Sequence, residues 1–345
     1  MRIVHVLLTK RFAGTERHVI ELTAAQADAG HEVILILRRK AARRRADAIV
    51  HRVDPRVRVV MVSDWLARWP AVVMARWLLP RLRPDIAHAH LGSACRALRG
   101  ARTGCPRLAT LHIGYVPEQH AHLDGLVAIA PWQLPTIPSP LRERSVQIDN
   151  WTVPRTPSAD ARTRLRAQFG IGQDEFLFGA LGRMEHSKGM DLLLDAFHAA
   201  DLPGARLAIV GQGEAWRALR QRAGAAVVMP GFVERSEDWL AAFDCFVSSA
   251  REEPFGLVLL EAMQAGLPVV ATATAGAVHL APLIGTPLVP TEDVPALSRT
   301  LAAAHAARPA RRRYDLDGHR VQAKAAELER YYVQARRRLA IITAR

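Results

Sequence analysis

Two glutamates frame a short Pro-Phe-Gly segment in the second half of the chain, at Glu253 and Glu261. An apolar run ends at 249 and a helical pattern begins close to Gly256, so the segment follows a predicted strand, at the sheet edge where parallel α/β sheets bind ligands. The amides of Phe255, Gly256 and Leu257 open this helix and can face an anion or sugar hydroxyls. Carboxylates so spaced can hold different hydroxyls of one extended ligand. The alternative is a solvated glutamate pair beside an ordinary helix start.

Two cations follow another predicted strand, at Arg183 and Lys188. The chain has four lysines among its 47 basic residues, so Lys188 stands out in a sequence that otherwise uses arginine. A guanidinium fork and an ammonium point charge together suit a diphosphate. The alternative is a helix cap with two solvated cations.

Short Val/Ile/Leu-rich runs alternate with helical patterns in both halves, which is typical of parallel α/β sheets covered on both faces. Predicted strands lie at 3–9, 33–37, 57–62, 86–89, 108–112 and 126–130, then at 176–181, 206–210, 226–229, 245–249 and 268–272. Predicted helices lie at 15–29, 190–200, 214–223, 236–243, 256–265 and 320–341.

The length of 345 residues exceeds what one hydrophobic core usually supports, so two domains are expected. Prolines concentrate near 153–158, where the alternation pauses, and indicate the linker. The prediction is an N-terminal domain over 1–155, a second domain over 156–324, and a helix over about 325–345 that packs back on the first.

Four motifs in the second half resemble, in order and spacing, the retaining glycosyltransferases of the GT-B fold, of the large family 4 (group 1) type. They are Gly-Arg-x4-Lys-Gly at 182–189, Val-Gly-Gln-Gly at 210–213, Pro-Gly-Phe-Val at 230–233, and the pair of glutamates separated by seven residues. The segments 13–17 and 110–114 resemble the first half of the family more loosely. The resemblance implies two facing doubly wound, Rossmann-like domains with a cleft between them. The first would receive the acceptor and the second would hold a nucleotide-diphosphate sugar.

The resemblance also implies roles for residues of the second half. Arg183 and Lys188 would bind the diphosphate, and Glu261 would bind the ribose. Glu253 and the amides of 255–257 would hold the donor sugar. The remaining donor-binding positions are Phe232 and Val233 at the base, and Gly211 and Gly213, which would allow a close approach.

In the first half, the resemblance implies that Gly14 lets a loop close over the phosphates. His112 would lie by the anomeric carbon or a donor hydroxyl, which makes it catalytic together with Glu253, Arg183 and Lys188. The family has two glycines where this chain has Ala13 and Gly14. If the first position requires a positive φ, Ala13 is strained there.

The predicted function is therefore transfer of a hexosyl unit from a nucleotide-diphosphate sugar to a hydroxyl of a glycan or glycolipid, with retention and without a metal. The expected acceptor is anionic, such as a lipopolysaccharide core or lipid-linked oligosaccharide. Two alternatives stay open: a nucleotide-sugar epimerase or hydrolase on the same fold, and a non-catalytic protein that binds sugar nucleotides.

Metal sites are not predicted. His88 and His90 share a predicted strand face and His112 is expected near them, but no cysteine or carboxylate set surrounds them. The Asp-Leu-Asp sequence at 315–317 precedes a glycine and reads as a turn. Three cysteines without CxxC spacing exclude a disulfide framework and a thiolate zinc site. No cofactor is expected beyond the sugar-nucleotide co-substrate.

The net charge of +14 is unevenly distributed. Residues 1–155 hold 24 basic and 12 acidic side chains, whereas 156–345 hold 23 and 21. This asymmetry favours an anionic partner for the first half, although GC-biased coding is an alternative source of arginine. The basic run 38–45 and the segment 65–83, with Trp65, Trp69 and Trp77, suit an anionic membrane surface. A solvated charge run beside an ordinary covered helix is the other interpretation.

Nucleic acid is not expected, because no recognition motif accompanies the charge. The N-terminus reads as a strand rather than a signal peptide, and no apolar run approaches the length of a membrane span. The expected location is cytoplasmic, at most peripheral on the inner face of the cytoplasmic membrane.

Overall fold

The computed structural model describes residues 1–10, 12–42, 48–63 and 68–343. The chain forms two compact units, Met1–Trp151 with Asp317–Arg345, and Thr152–Leu316. The first boundary lies four residues before the predicted one, because buried Trp151 belongs to the first unit, where it stacks on His18. The return to the first unit begins eight residues before the predicted position 325, at a short turn in which the His319 ring hydrogen-bonds to the Asn150 carbonyl.

The first unit is built on a parallel sheet whose strand order is β3-β2-β1-β4-β5-β6-β7. Its five inner strands are almost entirely buried, as expected for a sheet covered on both faces, whereas the two edge strands are partly exposed. They are β1 (Arg2–Leu7), β2 (Glu32–Arg38), β3 (Arg58–Val62), β4 (Ile86–His90), β5 (Arg107–Leu111), β6 (Gly125–Ala128) and β7 (Val146–Gln147). The helices between them are α1 (Gly14–Asp28), α2 (Arg68–Arg81), α3 (Gly92–Leu98) and α4 (Pro117–His120).

The second unit repeats this plan with the parallel order β10-β9-β8-β11-β12. Its strands are β8 (Phe176–Leu181), β9 (Ala205–Val210), β10 (Val227–Gly231), β11 (Cys245–Ser248) and β12 (Val269–Ala271). Its helices are α5 (Ala161–Gln168), α6 (Met190–Ala200), α7 (Trp216–Arg222), α8 (Ser236–Ala242), α9 (Leu257–Gln264), α10 (Ala275–Ile284) and α11 (Val294–Ala307).

The chain then returns to the first unit as α12 (Val321–Thr343), which packs against α1. Tyr332 of α12 is fully buried and its hydroxyl is hydrogen-bonded to His88 on β4. Tyr331 donates a hydrogen bond to the Arg144 carbonyl. These contacts anchor the last helix to the sheet.

The predicted pair of doubly wound parallel sheets is confirmed. Strand order reverses between β1 and β4 in the first unit and between β8 and β11 in the second, and ligands of such sheets bind at the carboxyl side of this reversal. The sequence prediction omitted β7, which is two residues long, and the helices α3, α4, α5, α10 and α11, whose short or alanine-rich sequences carry little apolar periodicity.

Candidate functional site

An ion pair joins the two loops that flank the reversal point of the second unit. Lys188, in the loop after β8, lies 2.7 Å from a carboxylate oxygen of Glu253, in the loop after β11. Their side chains are 20% and 13% exposed, so the pair faces solvent without being freely solvated. The structure therefore brings together two of the predicted catalytic residues, and the second Glu253 oxygen takes no part in this contact.

Two further contacts hold these loops at a fixed distance. Gly189 has φ +59°, and a Cβ there would lie 2.0 Å from the Ser249 carbonyl oxygen. The Ser249 hydroxyl donates a hydrogen bond to the Gly189 carbonyl at 2.8 Å. This close packing requires glycine, because a side chain would separate the loops.

Arg251 provides the second contact. Its guanidinium binds both carboxylate oxygens of Asp191 at 2.8 Å and donates to the His186 carbonyl at 2.9 Å. Hydrogen bonds from Arg251 hold the pKa of the Asp191 carboxyl below its usual value, so the clamp stays ionised at neutral pH. Arg251 thus fixes the first turn of α6 and the Lys188 loop against the Glu253 loop.

Gly211 and Gly213, in the loop after β9, pack against the backbone of the loop after β8. A Cβ at Gly211 would lie 1.9 Å from the Gly182 carbonyl oxygen, and one at Gly213 would lie 2.3 Å from that of Met184. The close approach that the sequence predicted at these glycines is therefore made by the neighbouring loop backbone, which carries Arg183.

The start of α9 is also shaped by glycine. Gly256 caps the helix with φ +98°, and Phe255 before it is buried. Gly276 at the start of α10 donates its amide to the Glu253 carbonyl at 2.8 Å, and a Cβ there would lie 2.4 Å from the Phe255 backbone. The first amides of α9, at Leu257 and beyond, follow directly on the Glu253 loop.

Glu261 lies one turn into α9, on the wall of a cavity of about 190 Å³ within the second unit. Ser236 and Glu237, at the start of α8, line the same cavity. Phe232 and Val233 come just before them, after β10, and Phe232 is 53% exposed. The structure thus brings Glu261 to the start of α8, and the cavity lining does not include Phe232 or Val233.

Arg183 is strongly exposed, with 69% of its side chain accessible. It pairs with Glu185 of its own loop at 3.0 Å. It follows β8 directly, at the same sheet edge as Lys188, but the structure does not bring the Arg183 side chain into the Lys188–Glu253 pair.

Gly14 is the first residue of α1, at the carboxyl edge of the first unit's sheet. Ala13 before it has φ −150°, an extended conformation that any residue adopts, so the strain expected at Ala13 is absent. The Ala13 amide donates to the Glu16 carboxylate at 3.0 Å, which satisfies one donor at the helix start.

His112 follows β5, and buried Gln133 holds the backbone on both sides of it. The Gln133 side-chain amide donates to the carbonyls of Leu111 at 2.9 Å and Ile113 at 3.0 Å. The His112 ring also meets His18 of α1 edge-on, with ring centroids 4.9 Å apart. His112 therefore lies at the carboxyl edge of the sheet, against His18, which is one helical turn after Gly14 on α1.

A line of hydrogen-bonded rings runs from His112 into the core. His112 Nε2 lies 3.0 Å from His90 Nδ1, His90 Nε2 lies 3.0 Å from His5 Nδ1, and His5 Nε2 lies 2.7 Å from the Gln26 amide oxygen. Burial lowers the pKa of His5 to about 4 and that of His112 to about 3, and holds that of His90 well below its usual value. These rings are neutral at pH 7.

Ring nitrogens of two histidine triplets, His5-His88-His90 and His18-His90-His112, lie within 4.8 Å of one another. The first three rings are stacked at interplanar angles of 14° to 27°, so their lone pairs do not converge on one point. Their nitrogens are instead occupied by hydrogen bonds.

The Asp-Leu-Asp sequence at 315–317 ends in a turn, as predicted. Asp317 opens a short 3₁₀ turn and pairs with Arg320.

The basic surface differs from the sequence prediction in one respect. Arg38 is only 2% exposed, because it is the last residue of an internal strand, so it does not belong to a cationic surface. Residues 43–47 and 64–67, including Trp65, lie outside the described part of the chain.

The helix α2 carries apolar side chains on both its inner and its outer face. Its inner face is buried through Ala71, Ala75 and Leu79, whereas Trp69 and Trp77 are 66% and 54% exposed. Val73, between the two tryptophans at helical spacing, is 55% exposed. The inner face of α2 is therefore covered, as in an ordinary sheet-packed helix, and its outer face carries three exposed apolar side chains.

The sequence analysis missed several residues that position the predicted ones. His5 alone of these gave a signal, because β1 and β4 are neighbours in a doubly wound sheet and both carry histidines. Gln26 and His18 lie on α1, and strand order does not indicate their contacts. Gln133, Asp191 and Arg251 gave no signal, because their contacts depend on loop conformation.

The sequence matches the family described as Glycosyltransferase Family 4 over residues 12–175 and the family described as Glycosyl transferases group 1 over residues 175–306. The two matches are consecutive and between them cover most of the chain, one over most of the first unit and the other over most of the second.

Curated relatives match over part of their length. The D-inositol 3-phosphate glycosyltransferase of Xylanimonas cellulosilytica is 36% identical over 144 residues, which cover 38% of this chain and 34% of that protein. The lipopolysaccharide core biosynthesis mannosyltransferase LpsB of Rhizobium meliloti is 36% identical over 124 residues, covering 32% and 35%. The matched segments thus span about a third of each relative.

Among solved structures, HepE from Anabaena in complex with UDP and glucose superposes with a TM-score of 0.73 at 19% identity, covering 100% of this chain and 99% of that one. This likeness confirms the fold. Within the described residues, no helix combines the length and apolarity needed to span a bilayer.

Proposed function

Because the chain belongs to the family 4 (group 1) glycosyltransferases of the GT-B fold, we propose that it moves a hexosyl unit from a nucleotide-diphosphate sugar to a hydroxyl of a glycan or glycolipid, with retention and without a metal ion. The observation that carries this proposal is the Lys188–Glu253 pair at the reversal point of the second sheet, beside the start of α9. A cation, a carboxylate and free helix amides at one edge suit the diphosphate and the sugar of such a donor.

Each group has a proposed task. Lys188 and Arg183 neutralise the diphosphate, whose negative charge grows as the glycosidic bond to it breaks. One Glu253 oxygen holds Lys188 and the other accepts a hydrogen bond from a sugar hydroxyl. Glu261 accepts hydrogen bonds from the ribose, and Phe232 and Val233 contact the base.

Retention follows without a protein nucleophile. The acceptor hydroxyl attacks the anomeric carbon from the face that the diphosphate leaves, and its proton passes to a diphosphate oxygen. The protein contributes positioning and charge stabilisation. His112 and Gly14 of the first unit are proposed to contact the donor sugar and the phosphates, and the first unit is proposed to bind the acceptor.

The proposed acceptor is an anionic surface glycan, such as a lipopolysaccharide core or a lipid-linked oligosaccharide. Two features support this choice: the net charge of +12 over residues 1–155 and the similarity to the LpsB mannosyltransferase. The enzyme would then work in the cytoplasm, at the inner face of the membrane that carries the acceptor.

A transfer assay tests the proposal. Nucleotide-diphosphate sugars are incubated with the protein and a lipopolysaccharide-core oligosaccharide, and the anomeric configuration of the product is read by proton NMR. We expect a product of the donor's configuration and strongly reduced turnover in Lys188→Met. Lys324→Met is the matched control, because Lys324 also pairs with a glutamate, at 3.0 Å, but lies on α12. Release of free sugar alone, or an inverted product, would contradict the proposal.

Membrane association is proposed through the outer face of α2. Trp69, Val73 and Trp77 recur at helical spacing, and the Arg81 guanidinium lies 3.4 Å from the centroid of the Trp77 ring. Exposed tryptophans flanked by arginine suit the interface of an anionic bilayer.

Sedimentation with vesicles of phosphatidylglycerol and phosphatidylcholine tests this membrane association. Trp69→Ser with Trp77→Ser should weaken sedimentation with vesicles at high salt, whereas Arg39→Glu with Lys40→Glu should weaken it at low salt only. Absence of wild-type binding to the vesicles would contradict the proposal.

A further inference from the structure

The hydrogen-bond chain from Gln26 to His112 has a defined direction. Its inner end is the Gln26 amide oxygen, 2.7 Å from His5 Nε2, and an amide oxygen can only accept. The proton of His5 is therefore on Nε2, and its Nδ1 is left as an acceptor, because a neutral imidazole carries one proton.

The ring protons of His90 and His112 are assigned in the same way, following the hydrogen bonds outward from His5. His5 Nδ1 accepts from His90 Nε2 at 3.0 Å, so His90 Nδ1 carries the lone pair. His90 Nδ1 accepts from His112 Nε2 at 3.0 Å. His112 is thereby left with an unprotonated Nδ1, which has no hydrogen-bond partner among the described residues, on a ring that is partly exposed at the sheet edge.

We propose that Gln26, His5 and His90 are positioning residues that fix His112 in the tautomer whose Nδ1 accepts a hydrogen bond from a sugar hydroxyl. The link to a sugar hydroxyl rests on the proposed function, whereas the tautomer itself does not. His112 then holds its hydroxyl by accepting, and cannot serve as a proton donor to the leaving group.

The uncharged Gln26 amide at the inner end explains why these hydrogen bonds orient the His112 ring without favouring its protonated form. A carboxylate there would stabilise an imidazolium, but the Gln26 amide is uncharged. The titratable groups that face the chain are His88, His18 and Tyr332, and burial keeps the pKa of both histidines well below the usual value. Uncharged neighbours and burial both favour a neutral ring.

Nitrogen NMR of protein labelled with ¹⁵N-histidine tests the tautomer directly, because protonated and unprotonated ring nitrogens resonate far apart. We expect His112 with its proton on Nε2 and none on Nδ1. Gln26→Met removes the acceptor at similar volume, so the Nδ1-protonated tautomer should become populated at His112. A wild-type His112 protonated on Nδ1 would overturn the proposal, as would an unchanged His112 spectrum in Gln26→Met.

A matched pair of variants tests the consequence for transfer. His90→Asn interrupts the chain, whereas His88→Asn alters an equally buried neighbour on the same strand that is bonded to Tyr332 and Thr110 instead. We expect kcat/KM for transfer to fall about tenfold in His90→Asn and to stay within twofold of wild type in His88→Asn. Equal losses in both variants would overturn the positioning role. Failure of the wild type to transfer sugar would count against the proposed function, while the NMR result would still decide the tautomer.

Discussion

Lys188 and Glu261 are proposed to contact different parts of the donor, so their variants should differ in kinetic signature. Charge on the leaving diphosphate peaks in the transition state, so Lys188→Ala or Arg183→Ala should lower kcat by about a hundredfold with a smaller change in KM. The ribose does not change during transfer, so Glu261→Ala should raise KM by about tenfold or more at nearly constant kcat. Steady-state kinetics with varied donor distinguishes these patterns. Wild-type turnover in both cation variants would contradict the diphosphate assignment.

A cluster of four buried histidines and the partly exposed His112 makes the first unit sensitive to acid. Desolvation lowers the pKa of His5 to about 4 and of His112 to about 3, and it holds those of His18, His88 and His90 well below the usual value. Below about pH 6.5 these histidines bind protons in the unfolded chain but remain neutral in the folded unit, so acid favours unfolding.

The free energy of unfolding should therefore be constant above pH 7 and fall as the pH drops from about 6.5 toward 4. Each histidine contributes up to about 1.4 kcal/mol per pH unit in this window. Urea unfolding at pH 7.5, 6 and 5 measures the slope, and His88→Asn should make it shallower by removing one titrating group. Stability that does not change between pH 7 and 5 would contradict the neutral, buried assignment.

At the scale of elements, the loops after β8 and β11 are held together by backbone packing that only glycine allows. Gly189→Ala places a Cβ against the Ser249 carbonyl in addition to the strain of φ +59°. Gly204→Ala is the matched control, because Gly204 has φ +73° with nothing within 4 Å of its Cβ position. We expect the control to cost about 1 kcal/mol and Gly189→Ala clearly more, with weakened donor binding as well. Thermal unfolding and donor titration measure both effects, and equal behaviour of the two variants would contradict the packing argument.

The elements that sequence could predict are those with a strong local pattern. The buried strand β8 is a continuous apolar run, β1 is apolar apart from Arg2 and His5, and the motif around Glu253 indicates a strand end followed by a helix. What could not be predicted depends on distant parts of the chain meeting. The Arg251–Asp191 clamp and the Gln26–His112 chain arise from loop conformation and strand order, which leave no mark in local periodicity.

At the scale of the whole molecule, both units use one doubly wound plan but differ in chemistry. The second unit places opposite charges at its sheet edge, whereas the first places neutral imidazoles there and carries most of the net positive charge. This division suits a donor held by charge in one domain and an anionic acceptor attracted to the other.

We expect the reaction to proceed without a divalent metal, because Lys188 and Arg183 are proposed to supply the positive charge at the diphosphate. Treatment with EDTA followed by desalting should leave transfer activity unchanged within error. Activity that is lost on chelation and restored by one divalent metal would instead favour a metal at the histidine triplets or at Asp315 and Asp317.

We propose that the second unit binds a nucleotide-diphosphate sugar through the Lys188–Glu253 edge. Thermal unfolding across a panel of nucleotide-diphosphate sugars tests it most directly, because a ligand at a hundred times its Kd stabilises the folded state by about 2.7 kcal/mol. We predict that at least one sugar nucleotide raises the unfolding midpoint of the wild type and of Lys324→Met, and that the shift is lost in Lys188→Met. A panel without any shift, or an equal shift in Lys188→Met, would contradict the account.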